Sequence, residues 1–347
     1  MTEVHVIVPE GIDDPARPSG GNTYDRRLCR GLAALGWTVH EHAVIGAADL
    51  ARAVERIPDG AMVLLDGLIA SPAPEALVPH ARRLRQVVLM HMPLGDRRER
   101  DVLAAATAVV TTSAWTRRRL IELHGLPADR VHVAEPGVEA AELTPGTAAG
   151  GALLCVAAVT RAKGHDVLLD GLSTVTDLSW RCACVGSLDR HAAFADRVQR
   201  RALGDGLRDR VHFEGPRTGP ELDRAYAAAD LLVLPSRAET YGMVVTEALA
   251  RGVPVLATDV GGITEALGYA DDGSRPGLLV PPGDPAALGA ALRAWLTDAE
   301  LRERLRHAAR ERRASLRPWA ATSSGVARVL ASAAVSGRDA MLAGAAQ

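Results

Sequence analysis

The chain repeats one unit: a short apolar run, a turn, then a longer amphipathic stretch. Apolar runs at residues 4–8, 37–45, 62–65, 86–91, 108–111 and 131–134 are strand-sized, and helical patterns occupy 20–35 and a stretch opening at Ser113. Such alternation predicts a parallel sheet with helices on both faces. The stretch 137–151 has no period and carries Pro145, Gly146, Gly150 and Gly151, so it reads as a linker. The series then restarts. Strands are expected at 153–159, 180–185, 211–214, 231–234, 253–257 and 278–280, with helices at 164–172, 191–203, 285–295 and 298–315. A last helix opens near Pro318, and the small, polar tail from Ser336 is expected to fray. The expected architecture is α/β, two Rossmann-like doubly wound domains with a cleft between them. The first spans 1–140 and the second 152–317, with a linker at 141–151 and a helix 318–335 packing back toward the first domain. Ligands of such sheets sit outside the carboxyl ends of the strands. Candidate site residues are therefore those that directly follow a strand.

Composition narrows the function classes. At roughly 150 residues per domain, 347 residues make about two domains. With 48% hydrophobic and 24% charged residues, the chain is neither disordered nor fibrous. Residues 1–150 carry 16 basic and 19 acidic groups and the remainder 24 and 23, so neither half attracts nucleic acid by bulk charge. Five Trp, four Tyr and two Phe are too few for a base-stacking platform. The apolar runs are too short to span a bilayer, and membrane contact is not expected. The first nine residues are too short and too acidic for a secretory leader. Cys29, Cys155, Cys182 and Cys184 have neither metal-site nor disulfide-framework spacing. A reduced, cytoplasmic, metal-free enzyme is expected. All basic residues but one are Arg, and the exception is Lys163. A lysine kept in such a chain suggests a site that takes a compact ammonium and not a planar guanidinium.

Five strand-end segments carry candidate chemistry. The strongest is Glu239-Thr240-Tyr241-Gly242-Met243-Val244-Val245-Thr246-Glu247, which follows the run 231–234 and opens a helix. Its helix start, with Gly242 and the free N–H groups of Met243 and Val244, suits a diphosphate. Glu247, a turn further in, can reach a ribose, and Glu239 can face a sugar beyond the phosphates. Thr160-Arg161-Ala162-Lys163-Gly164 follows the run 153–159 and offers basic groups for the same diphosphate. His91 leaves the strand 86–90 toward the cleft. Gly20 and Gly21, between a strand and a helix, let backbone approach a ligand, and a plain tight turn is an equal reading. The pair is not part of a G-x-G-x-x-G pattern, which argues against a dinucleotide oxidoreductase. Asp66, at the end of 62–65, is placed to face an acceptor.

These segments resemble the large fourth family of retaining glycosyltransferases, which has a two-Rossmann GT-B fold and a Glu, seven residues, Glu signature. The resemblance covers nearly the whole chain and is most specific at 235–257, PSRAETYGMVVTEALARGVPVLA. It implies that Glu239 contacts the transferred sugar, Glu247 holds the nucleotide ribose and Lys163 neutralises the leaving diphosphate. Many members carry an Arg five residues before this Lys. Here that position is Ala158, and Arg161 is the nearest substitute. His91 is implied close to the donor sugar. Gly20 and Gly21 are implied near the phosphates and the acceptor, with Tyr24 on the acceptor side. Gly261 and Gly262, after the run 253–257, are implied near the donor, with a strand-to-helix turn as the plain alternative.

The expected activity is transfer of a sugar from a nucleotide diphosphate-sugar to a small soluble acceptor, with retention at the anomeric carbon. No cofactor is implied beyond the donor, and no D-x-D segment suggests a metal. Two other readings remain at this stage: a nucleotide-sugar epimerase of the same fold, and a two-lobed binding module without activity.

Overall fold

A computed structural model describes residues 2–204 and 206–344. The chain forms two compact units, one of residues 2–13, 20–137 and 317–344 and one of residues 14–19 and 138–316.

Unit 1 is built on β1 (Thr2–Pro9), β2 (Trp37–Val44), β3 (Met62–Asp66), β4 (Arg85–Met90), β5 (Ala108–Thr111) and β6 (Val131–Val133). All pairings are parallel, in the order β2-β1-β3-β4-β5-β6. Both faces are covered, so the inner strands read as unbroken apolar runs, and every residue of β3 is buried. On one face Val4, Val6 and Val8 pack with Leu28 and Leu32 of the helix Gly20–Ala34 and with Val326 and Leu330 of the C-terminal helix Trp319–Gly344. On the other face Ile7, Val63 and Leu65 meet Leu50 and Val54 of the helix Gly46–Arg56. The C-terminal helix is tied down by Thr322 Oγ1, which donates to Glu135 O at 2.8 Å. Its backbone stays helical to Gly344, past the end expected near residue 335. Ser113 caps the helix Ala114–His124 by accepting from Thr116 N–H at 3.0 Å.

Unit 2 carries β7 (Ala152–Val156), β8 (Arg181–Val185), β9 (Val211–Gly215), β10 (Leu231–Leu234), β11 (Val255–Thr258) and β12 (Gly277–Val280). These too are all parallel, in the order β12-β11-β10-β7-β8-β9. Leu231 and Val233 face one core cluster, Leu232 and Leu234 the other. Two expected boundaries move. The run 153–159 leaves the sheet at Val156, and the N–H groups of Ala157 and Val159 then bond to Val185 O and Ser187 O. The run expected from Val253 becomes a strand only at Val255, because Pro254 has no N–H to offer a ladder. The stretch expected as a linker lies along unit 2. Thr147 Oγ1 donates to Asp230 at 2.7 Å, and Trp295 Nε1 donates to Gly150 O at 2.7 Å.

In each sheet the chain reverses direction beside its first strand. The switch points are β1/β3 in unit 1 and β7/β10 in unit 2, the places where doubly wound sheets take ligands. Among the described residues no helix is long and apolar enough to cross a membrane.

Candidate active site

In unit 2 the loops after β7 and β10 meet at the switch point, and Arg237 binds them together. Its N–H donates to Ala162 O at 2.7 Å, its Nη1 to Arg161 O at 2.9 Å, and its guanidinium pairs with Asp166 at 2.8 and 3.0 Å. Burial works against charge on Asp166, but the Arg237 guanidinium holds its carboxyl below the usual carboxylate range. This junction brings Lys163 and Glu239 together. Lys163 Nζ donates to Glu239 Oε1 at 2.6 Å, and Ser236 Oγ donates to the same oxygen at 2.9 Å. The sequence assigns these two side chains to different parts of a ligand, and the structure pairs them. Arg161 is exposed and directs its guanidinium over the Phe194 ring, 5.7 Å from the centroid.

Gly261 and Gly262, expected near the donor, form the floor of the Glu239 loop. Gly262 N–H donates to Glu239 O at 3.2 Å. A Cβ on Gly261 would lie 1.6 Å from Glu239 O, and one on Gly262 would lie 2.2 Å from Thr240 O. Gly261 also has φ +57°, a left-handed backbone. Their glycine identity is explained by this contact with the loop that carries Glu239.

Gly242 leads into the helix Met243–Ala250, which no side chain caps. The first-turn amides of Met243 and Val244 have no partner within their own helix. One turn on, Glu247 Oε2 accepts from Tyr226 Oη at 2.7 Å. Arg251 Nη1 donates to Glu247 O at 2.8 Å, and its guanidinium lies 4.6 Å above the Tyr226 ring. Burial pushes the Glu247 carboxyl up, against the pull of Tyr226 and Arg251.

The unit 1 candidates gather around His91. Asp66 closes β3, His91 follows β4, and the helix Gly20–Ala34 follows β1. Gly21, Tyr24 and Asp25 stand at i, i+3 and i+4, on one face of that helix. Asp25 Oδ1 lies 2.8 Å from His91 Nε2, and the Tyr24 ring meets the imidazole edge-on with centroids 5.3 Å apart. A Cβ on Gly21 would lie 3.3 Å from His91 Cδ2. One side-chain atom from each of Asp25, Asp66 and His91 lies within 4.8 Å of the others. Burial, and then Asp25, push the Asp66 carboxyl up to about 7, with His91 and Leu68 N–H pulling the other way. For His91 burial disfavours charge, but Asp25 and Asp66 outweigh it and raise the imidazole.

Tyr24, expected on the acceptor side, is 0% exposed and its hydroxyl donates to Ala134 O at 2.9 Å. Gly21 lies against the His91 ring, while Gly20 is exposed at the helix start. The loop after His91 is anchored by buried Glu99. Its carboxylate accepts from Leu94 N–H at 2.8 Å, Gly95 N–H at 3.0 Å and Ser71 Oγ at 3.2 Å, and it lies 2.7 Å from His124 Nε2.

Asp25, Glu99, Tyr226 and Arg237 are absent from the sequence-derived site. For the two acids a signal exists. Asp25 lies in the buried stripe with Leu28, Cys29 and Leu32, and Glu99 in that with Val102 and Leu103. An acid in an apolar stripe needs a partner.

Residues 150–312 match the family model described as Glycosyl transferases group 1. D-inositol 3-phosphate glycosyltransferase 1 of Catenulispora acidiphila is 34% identical over 218 residues, 58% of this chain and 51% of that protein. The D-inositol 3-phosphate glycosyltransferase of Frankia alni is 34% identical over 248 residues, 66% and 60% of the two chains. The chain spans about half the length of the curated relatives it matches. Sucrose-phosphate synthase of Thermosynechococcus elongatus superposes with TM-score 0.76 at 22% identity, over 95% of this chain and 98% of that one. HepE of Anabaena, in complex with UDP-glucose, gives TM-score 0.76 at 16% identity, over 96% and 100%. At such identities the solved structures speak for the fold. Residues 150–312 are thus similar to the group 1 glycosyl transferases, and the solved structures show the GT-B fold of two Rossmann-like domains.

Proposed function

We propose that the chain transfers a hexosyl group from a nucleotide diphosphate-sugar to a hydroxyl of a small acceptor, with retention at the anomeric carbon. The observation that carries this reading is the Lys163–Glu239 pair, at 2.6 Å, beside the switch point of unit 2 and an uncapped helix start. A cation, a carboxylate and free amides are what a sugar diphosphate needs. Lys163 and the N–H groups of Met243 and Val244 take the diphosphate. Arg161 leaves Phe194 to add charge, and Glu239, released by Lys163, accepts sugar hydroxyls. Glu247 has one oxygen on Tyr226 and offers the other to the ribose. Gly20 and Gly21 bring backbone near the phosphates. In unit 1, His91 serves the sugar and Asp66 the acceptor.

The bond from the anomeric carbon to the diphosphate oxygen breaks, and the diphosphate keeps the electron pair. The acceptor oxygen bonds to the same face of that carbon and gives its proton to the departing diphosphate, so configuration is kept. Negative charge grows on the diphosphate, where Lys163, Arg161 and the helix amides are strongest. That charge is met by protein groups, so this reading requires no divalent ion. The acceptor is read as small, in line with the inositol phosphate in the relatives' names. Nucleotide-sugar donors and four free thiols suit the cytoplasm.

The test is mass spectrometry of UDP-, GDP- and dTDP-hexoses incubated with the protein and an acceptor panel, with EDTA present. A glycoside whose anomeric coupling in NMR matches that of the donor supports the reading. An epimerised donor without glycoside, or donors left unchanged across the panel, overturns it.

A further inference from the structure

We propose that Asp25 is the positioning residue of His91: it engages Nε2 from the buried face of the Gly20–Ala34 helix, so that Nδ1 is the ring nitrogen presented to substrate. Three contacts from one helix face fix the ring. Asp25 holds Nε2 at 2.8 Å, Tyr24 stands edge-on at 5.3 Å, and Gly21 leaves the space that the imidazole fills. Tyr24 cannot swing away, because its hydroxyl is tied to Ala134 O at 2.9 Å.

The helix does not need Asp25 for its own packing. The residue is 3% exposed among Leu28, Cys29 and Leu32, where a carboxylate is costly. Its Oδ2 is buried without a hydrogen-bond partner among the described residues. The groups facing His91 are Tyr24 and Asp25 from the helix and Asp66 from the end of β3. Burial keeps Tyr24 protonated. Beside Asp25 in this buried space the Asp66 carboxyl is pushed up and resists ionisation. The negative charge of these carboxyls faces His91. It orients a neutral ring with its proton on Nε2 and favours the imidazolium when a second proton binds.

The link to turnover rests on the glycosyltransferase reading, whereas the state of the ring does not. Long-range proton–nitrogen spectra of histidine-labelled full-length protein, ligand-free, report the His91 tautomer and titration, with His91→Gln for assignment. The wild type is expected to carry its proton on Nε2 and to titrate above an ordinary histidine. A proton on Nδ1 overturns the proposal with no variant needed. Asp25→Asn keeps the shape and removes the charge, so the midpoint should fall by about one pH unit or more. Asp25→Glu should restore part of it. A folded Asp25→Asn protein with unchanged tautomer and midpoint refutes the pairing. In the transfer assay Asp25→Asn should lower kcat about 10- to 100-fold, the scale for loss of an orienting partner, with donor KM little changed. It should also move the acid limb of the kcat profile. Wild-type kcat in a variant whose His91 spectrum has shifted overturns the positioning role. Absence of any transfer by the wild type would count against the function alone, and the spectra would still decide the pairing.

Discussion

Replacing Lys163 by Ala separates the two duties given to its ammonium. In the structure it closes the pair with Glu239, in which the lysine side chain is 30% exposed and the glutamate 10%. Water screens such a pair only in part. Its loss should exceed the ~0–1 kcal/mol of a surface pair and fall short of the ~3–5 kcal/mol of a buried one. Glu239 also keeps Ser236 Oγ at 2.9 Å, so the carboxylate is not orphaned. Lys163→Ala should therefore lower the unfolding free energy by about 1–2 kcal/mol. At about 2–4 °C per kcal/mol that is a modest fall in Tm, and a domain of ordinary stability stays folded at 25 °C. The effect on turnover should be larger. Charge grows on the diphosphate only as the sugar leaves, so the missing ammonium is felt most in the transition state. Loss of one preorganised charge stabiliser scales as roughly 10²-fold or more in kcat, about 2.7 kcal/mol. Lys163→Arg keeps the charge. However, it replaces a compact ammonium, which meets Glu239 Oε1 at 2.6 Å, with a wide planar fork. It should recover only part of the rate. The assay pairs thermal unfolding with initial rates of nucleotide release at saturating donor. Normal turnover by Lys163→Ala would remove the lysine from the leaving-group step. Full recovery by Lys163→Arg would show that its compactness is irrelevant.

Three further perturbations address separate parts of the molecule. Glu247→Ala should weaken binding of the free nucleotide diphosphate by about 1.5–3 kcal/mol, the range for hydrogen bonds to a charged group; calorimetry showing unchanged affinity in a folded variant would end the ribose assignment. Burial, and then Asp25, push the Asp66 carboxyl up to about 7 from its ordinary 3.8, so the folded state binds more protons between those values. Stability from this group is complete below the lower value and is lost as pH rises through the upper one. Asp66→Asn should therefore flatten that decline and gain about 1–2 kcal/mol over wild type near pH 8, read by urea unfolding; parallel pH profiles for the two proteins would contradict it. Gly261→Ala places a Cβ 1.6 Å from Glu239 O on a left-handed backbone. It should cost roughly 2 kcal/mol or more of stability and lower kcat by moving Glu239, and a variant with wild-type Tm and rate would show that the loop yields freely.

The strands were legible because both faces of each sheet are covered. Leu231–Leu234 must be apolar throughout, and a run of that length between turn signals has few other uses. Boundaries were less legible where one group decides, as at Pro254, which lacks an N–H, or after Val156, where the chain turns to the carbonyls of Val185 and Ser187. The site followed the same division. Asp66, His91, Lys163 and Glu239 stand at or just after strand ends, which the apolar runs mark. What each one touches is supplied by residues far along the chain: Asp25 lies 66 positions from His91, and Lys163 lies 76 from Glu239. Sequence pattern does carry half of the missing information. Asp25 sits in a stripe with Leu28, Cys29 and Leu32, so it must be neutralised or paired. The pattern does not say by what, because that depends on sheet order. With β1, β3 and β4 adjacent, an acid on the helix after β1 lies beside the residues that end β3 and follow β4. Those residues are Asp66 and His91, and only the histidine can carry positive charge. A buried acid read from helix periodicity and a strand order read from the fold are thus both needed to name the Asp25–His91 pair.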